Sequence, residues 1–134
     1  DSFDWKEYFN DNEKLTHITI DENGDKKTDT TQYYDSSDKL TRIETDTNFD
    51  GNVDRWSHFR DESVLDRTAF DTTEDGKADQ WQFYHDDQSL KKAEYDTNSD
   101  GKADRWEIFD SSGKLKKIQL DRNFDGKIDL TQKK

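Results

Sequence analysis

The amino-acid sequence predicts an all-β fold, a repeat array of antiparallel β-hairpins that is either elongated or solenoid-like. The first reason is a nine-residue acidic loop that recurs five times, each start 25 residues after the last. The second is the segment between loops, where apolar and polar residues alternate and threonine and aromatic residues are frequent. The third is that no stretch shows sustained helical periodicity.

The composition of this 134-residue chain limits what it can be. Only 27% of residues are apolar and 40% are charged, which leaves little material for a core, but 13% aromatic residues and the lack of proline argue against disorder. The net charge of −12 disfavours nucleic acid and anionic membranes as partners and favours a cation. The chain has no cysteine for disulfides or thiolate metal sites, and no apolar run long enough for membrane insertion.

The repeat divides the chain into units. The acidic loops occupy residues 21–29, 46–54, 71–79, 96–104 and 121–129. They define a single repeat array over residues 1–134, with partial units at 1–20 and 121–134 and full repeats at 21–45, 46–70, 71–95 and 96–120. The partial units indicate a piece of a longer array or a junction with atypical caps.

Each segment between two loops predicts a hairpin. Residues 110–114 are turn formers, so Phe109 is expected to pair with Leu115. An unbroken register then gives the expected pairs Glu107–Lys117, Trp106–Ile118, Trp81–Ala93 and Trp56–Thr68. One hairpin has too few apolar residues for a core, so neighbouring units are expected to share one stripe of Trp, Ile, Leu and Tyr side chains.

The acidic loops place oxygen-bearing groups at alternating positions. In residues 96–104 these are Asp96, Asn98, Asp100 and Asp104, with the backbone carbonyl of Lys102 at the seventh position. Calcium takes about six to eight such oxygen ligands, and a glycine at the sixth position lets the chain turn so that later groups point inward. We therefore predict calcium-binding loops that hold one ion each, about five in all. Magnesium is disfavoured because it prefers fewer protein ligands in a stricter octahedron.

The predicted metal ligands lie at positions one, three, five, seven and nine of every loop. They are Asp21, Asn23, Asp25, Lys27, Asp29, Asp46, Asn48, Asp50, Asn52, Asp54, Asp71, Thr73, Asp75, Lys77, Asp79, Asp96, Asn98, Asp100, Lys102, Asp104, Asp121, Asn123, Asp125, Lys127 and Asp129.

The string D-x-N-x-D-G-K-x-D resembles the EF-hand-like loop of dockerins, thrombospondin type 3 repeats and other bacterial DxDxDG-type tandem repeat proteins. The resemblance covers the five loops, and the hairpin segments between them are similar to bacterial YD and MORN-like repeats. At the twelfth loop position, usually a bidentate glutamate, stand Gln32, Ser57, Gln82, Glu107 and Gln132. The resemblance therefore implies a shorter site in which the ninth-position aspartate coordinates and water completes the shell.

The loops are expected to differ in affinity for calcium. The second, fourth and fifth match the pattern fully, whereas the third has Thr73 in place of asparagine and is expected to be weaker. The first has Lys26 where the others have glycine, with Gly24 two positions earlier, so its geometry is the hardest to predict.

These features predict a calcium-binding module of a secreted or surface-exposed bacterial protein, in which calcium stabilises the fold for a structural or adhesive role. The expected location is extracellular or at the cell surface, with the periplasm as a variant, and the expected partners besides calcium are a surface protein or a glycan. No catalytic motif is present, so an enzyme is not predicted.

Three tryptophans leave an alternative open. Trp56, Trp81 and Trp106 recur at one repeat position, which is typical of a shared core but also of a ladder that stacks on sugars. The alternative function is thus a carbohydrate-binding module with calcium as structural support. A calcium sensor is less consistent with the sequence, since the chain lacks the methionine-rich groove that sensors expose.

Overall fold

The computed structural model describes residues 3–61 and 64–134. Residues 1–2 of the predicted leading unit and residues 62–63 of the second full repeat lie outside the described residues. The described part of the chain contains no helix, and so none that could span a membrane. Its eleven β-strands are β1 (Asp4–Phe9), β2 (Leu15–Asp21), β3 (Thr30–Tyr34), β4 (Leu40–Thr45), β5 (Arg55–Asp61), β6 (Val64–Phe70), β7 (Gln80–Tyr84), β8 (Leu90–Tyr95), β9 (Arg105–Phe109), β10 (Leu115–Leu120) and β11 (Leu130–Lys133).

All eleven strands form one antiparallel sheet in which spatial order equals chain order. Within the described residues, each strand contacts only the strands before and after it in sequence. The sheet therefore does not close on itself, because β1 and β11 lie at opposite ends. The predicted all-β array of consecutive hairpins is confirmed, and its form is an open, elongated sheet.

The two long edges of the sheet carry different connections. The acidic loops join even strands to the following odd strands along one edge, and tight turns lie along the other. In the turn after β9, the Gly113 N–H donates to the Asp110 carbonyl at 3.0 Å. The Ser112 hydroxyl and the N–H of Lys114 donate to the Asp110 carboxylate and lower its pKa to about 2. Local hydrogen bonds thus fix the hairpin ends without a core.

The predicted register is correct at the turn and wrong beyond it. Leu115 pairs with Phe109 as expected, but a β-bulge at Lys116 shifts the rest of the hairpin by one residue. Trp106 consequently lies opposite Gln119, and Glu107 lies opposite Ile118. The same shift in earlier repeats places Trp81 opposite Glu94 and Trp56 opposite Ala69, instead of Ala93 and Thr68.

The bulge also separates the apolar residues onto two faces. Residues directly opposite each other share a face, so Trp106 lies on the face of Gln119 while Ile118 and Leu120 lie on the other. The prediction of one shared Trp, Ile, Leu and Tyr stripe is therefore wrong. Of the described apolar residues, only Ala69 and Ala93 are buried. The protein is a single-layer sheet that lacks a conventional core.

Candidate metal sites in the acidic loops

The first and ninth aspartates of each loop extend the sheet by one more residue pair. The Asp104 N–H donates to the Tyr95 carbonyl at 2.8 Å, and the Asp121 N–H donates to the Asp104 carbonyl at 2.8 Å. The same two bonds recur at the first three loops, the fifth loop has the first of them, and Asp4 pairs with Asp21 at the start of the array. The backbone thereby aligns aspartates from successive strands in one row along the acidic edge, which we call the aspartate row.

Most members of the aspartate row are buried, and these buried members have no positively charged partner among the described residues. The buried members are Asp29, Asp46, Asp71, Asp79, Asp96, Asp104 and Asp121. Among the described residues none of these seven forms an ion pair; the one member that does is the exposed Asp129, whose Oδ1 lies 2.7 Å from the Arg122 Nε. Carboxylates removed from water need compensation from hydrogen bonds or a cation.

The loop backbone supplies the first part of that compensation. In the fourth loop, Ser99 and Gly101 have φ angles of +61° and +88°. These two left-handed residues turn the chain so that the Gly101 N–H donates to Oδ2 of Asp96 at 2.8 Å. The corresponding bond to the first-position aspartate is present in all five loops, at 2.7–2.8 Å.

The first loop adopts the same backbone despite its different sequence. Gly24 occupies the fourth position with φ +79°, and Lys26 takes the left-handed conformation at the sixth with φ +73°. The Lys26 N–H donates to Oδ2 of Asp21 at 2.8 Å, as glycine does elsewhere. Glycine and a non-glycine residue thus exchange places between the two left-handed positions, and the bond from the sixth residue to the first carboxylate is kept. In this loop the Gly24 N–H also donates to Oδ1 of Asp21 at 2.7 Å.

Lys26→Gly is therefore expected to stabilise the protein by about 1 kcal/mol, because glycine adopts this φ without steric strain. The free energy of unfolding from urea titration in chelator measures this gain. Lys27→Gly is the matched control: Lys27 is not among the residues with positive φ, so glycine there removes no strain and is expected to lower stability. Equal effects of the two substitutions would contradict the assignment.

The first, third and fifth side chains of a loop point to a common region. In the fourth loop, the Asp100 N–H lies within hydrogen-bond distance of both Asp96 Oδ1, at 3.2 Å, and Asn98 Oδ1, at 3.3 Å. The Asp100 carboxylate accepts hydrogen bonds from the Lys102 N–H at 2.8 Å and the Asn98 amide at 3.2 Å. In the third loop, the Thr73 hydroxyl donates to Asp71 at 3.3 Å.

The ninth-position carboxylate is bonded differently. Asp104 accepts hydrogen bonds from the N–H of Thr97 at 2.8 Å and from its hydroxyl at 2.6 Å. Thr47, Thr72 and, through its guanidinium, Arg122 make equivalent pairs of bonds with their own ninth-position aspartates. Sequence reasoning missed this second-position residue, although threonine there in three loops was a readable signal.

The fit of these groups to calcium is partial as the loops stand. Among the described residues, no three acidic or histidine side chains gather closely enough to hold a metal ion. The first and third oxygens converge and the fifth lies beside them, whereas the ninth carboxylate is engaged by the second residue. A calcium ion would be held by positions one, three and five with the carbonyl of position seven, and the ninth aspartate would contribute after releasing a hydrogen bond.

Hydrogen bonds keep the first-position carboxylates of the first and third loops charged. Burial tends to raise the pKa of Asp71, but the N–H groups of Gly76, Asp75 and Glu74 outweigh it and hold the pKa below the ordinary value. Hydrogen bonds to the charged form have the same net effect on the pKa of Asp21. These two carboxylates are thus anionic at neutral pH, which is the state that a divalent cation requires.

Comparisons with known proteins give the fold alone. No protein-family model matches the chain, and no curated protein matches it. Among solved structures it is similar to the crystal structure of accessory secretory protein 1, 2 and 3 in Streptococcus pneumoniae, with a TM-score of 0.56 and 14% sequence identity. The similarity covers 78% of this chain and 19% of that chain.

Proposed function

We propose that this chain is a calcium-binding repeat module of a secreted or surface-exposed bacterial protein, in which calcium stabilises the sheet for a structural or adhesive role. The observation that carries the proposal is the set of seven buried aspartates in the row, none of which forms an ion pair with a described residue. Backbone N–H groups satisfy part of its hydrogen-bonding capacity, but they carry no net positive charge. One divalent ion per loop would supply that charge at regular intervals.

The loop backbone supports the same proposal. In the second, fourth and fifth loops the N–H of the sixth-position glycine donates to the first-position carboxylate. A short loop that binds calcium through oxygen atoms needs such a turn, because it directs the ligands that follow the glycine inward. The resemblance to DxDxDG-type repeats agrees with it. Extracellular calcium sites bind at about 10⁻⁴–10⁻³ M, so such loops would be filled outside a cell and empty in a cytosol.

The absence of a core gives calcium a structural role. In the described residues the buried apolar side chains are two alanines, so burial of apolar surface contributes less than in an ordinary domain. Ions that bind the folded loops and not the unfolded chain add stability by mass action. The module is therefore proposed to be stably folded when calcium is bound and only marginally stable without it.

Isothermal titration calorimetry is expected to give about five calcium ions per chain. Asp100→Asn removes the fifth-position carboxylate of the fourth loop and is expected to lower the count by one. Asp11→Asn, in the exposed turn after β1 at the opposite edge, is the matched control and is expected to leave the count unchanged. An unchanged count in Asp100→Asn, or no calcium heat in the unmodified protein, would overturn the proposal.

A further inference from the structure

The face of the sheet that carries the tryptophans presents two parallel rows of side chains beside the aspartate row, whose ninth-position members lie two residues before the tryptophans on the same face. The first, the tryptophan row, contains Trp56, Trp81 and Trp106 on β5, β7 and β9, all half-buried. Ala69 and Glu94 separate them on the intervening strands. Strands lie about 4.8 Å apart, so neighbouring tryptophans are separated by about 9.6 Å across the sheet.

The second row, the basic row, lies two residues further from the loops on the same face. The even strands β2, β4, β6, β8 and β10 each place a basic residue at the same register position: His17, Arg42, Arg67, Lys92 and Lys117. Its cations recur every second strand, and so repeat at the same interval as the tryptophans. On a chain of net charge −12 this is an unusual concentration of positive charge.

Aromatic neighbours hold the cations in place. The Arg42 Cζ lies 4.0 Å above the Tyr33 ring, and the Lys92 Nζ lies 4.5 Å above the Phe83 ring. Glu44 and Glu94 pair with Arg42 and Lys92 on the same strands. Arg67 and Lys117, by contrast, form no ion pair with any described residue.

The electrostatic environment of His58, between Arg42 and Arg67 in the basic row, reports the same surplus of positive charge. Burial lowers the pKa of its imidazole, and the positive charges of Arg67 and Arg42 lower it further. The opposing effects of Asp66 and Glu44 are smaller. At His58 the two arginines of the basic row thus act together, one from each neighbouring strand.

We propose that this face binds a linear acidic polysaccharide along the long axis of the sheet, with sugar rings stacked on the tryptophan row and carboxylate or sulfate groups against the basic row. The proposal goes beyond calcium binding and does not depend on it, because both rows lie on strands. The interval of about 9.6 Å is comparable to the length of two linked sugar rings. A glycan with one anionic sugar in each disaccharide would therefore place one sugar ring at each tryptophan and one anionic group at each residue of the basic row.

Other occupants fit this face less well. A neutral glycan would use the tryptophans but leave the basic row without a counterpart. Single-stranded nucleic acid can also stack on aromatic residues, but it carries a charge on every nucleotide, so the aspartate row beside the tryptophans would repel it more strongly than a glycan that carries one anion in each disaccharide. Charge complementarity together with the spacing favours the alternating acidic polysaccharide.

Titration of the full chain with a hyaluronan octasaccharide, which bears a carboxylate on alternate sugars, tests the proposal through tryptophan fluorescence and calorimetry. We expect saturable binding that weakens about tenfold from low to high salt. Arg67→Ser, at an exposed position without an ion-pair partner, is expected to weaken binding about tenfold. Trp81→Ala is expected to weaken it to a similar extent.

Matched controls lie on the opposite face. Arg55→Ala and Trp5→Ala remove the same residue types from exposed positions there and are expected to leave binding unchanged. Circular dichroism checks that each variant folds. If Trp81→Ala does not fold, Arg67→Ser still tests the proposal. No binding, equal binding of a neutral cello-oligosaccharide, tighter binding of single-stranded DNA, or equal loss in the control variants would each overturn the proposal.

Discussion

Calcium at roughly 10 mM is expected to raise the midpoint of thermal unfolding by on the order of 20 °C over chelator-treated protein. At about ten times the dissociation constant, each site adds about 1.4 kcal/mol, so five sites add about 7 kcal/mol. The aspartate row makes so large a gain reasonable, because its carboxylates are brought together only when the sheet is formed. Circular dichroism at rising temperature, with and without calcium, measures the shift.

Magnesium at the same concentration is the control, since its stricter octahedron fits the loop poorly. A shift produced equally by magnesium would indicate general screening of the net charge of −12 and not loop binding. A midpoint that calcium does not move would contradict a structural role for the ion.

Asp79→Ala is expected to destabilise the metal-free protein by about 3 kcal/mol, because three hydrogen-bond donors lose a charged acceptor. The buried Asp79 carboxylate accepts from the Thr72 N–H at 2.8 Å, the Thr72 hydroxyl at 2.6 Å and the Thr73 N–H at 3.1 Å. These bonds hold the central loop against β7. Urea titration in chelator, followed through tryptophan fluorescence, gives the change in unfolding free energy.

Asp129→Ala is the comparison within the same chain. Asp129 has the same loop position but is exposed and pairs with Arg122, so its loss is expected to lower the free energy of unfolding much less than the loss of Asp79. Repeating both titrations in calcium separates two roles of the ninth aspartate. If it coordinates the ion as well as bonding the second residue, the cost of Asp79→Ala is larger in calcium; an equal cost would restrict it to the hydrogen-bonding role.

The sequence was sufficient for the strands and their order because the repeat fixes both. It was not sufficient for the register, because one bulged residue in each hairpin shifts every later pair by one position. Each side chain of that strand beyond the bulge then lies on the opposite face from the one predicted. A signal was present: Leu115, Ile118 and Leu120 are spaced by three and then two, and a regular strand keeps a spacing of two throughout. The pair Lys116-Lys117 marks the extra residue.

The candidate site was predictable in its residue types and less so in their roles. The Asp100 N–H lies within hydrogen-bond distance of Oδ1 of Asp96 and of Asn98, and the role of these residues as metal ligands stays a prediction. The engagement of Asp104 by Thr97 was not foreseen, because it depends on the loop folding back onto its own start. Lys26 shows a similar limit: the loop's hydrogen bonds impose a left-handed conformation that local preference would not select.

Because spatial order equals chain order, the sheet also has a mechanical character. Tension applied through its two outermost strands separates one strand from its neighbour at a time, breaking few hydrogen bonds at each step. Every released repeat of 25 residues adds about 85 Å of contour length. The array would therefore extend in equal increments under load, and calcium bound in the loops as proposed would raise the force that each step needs.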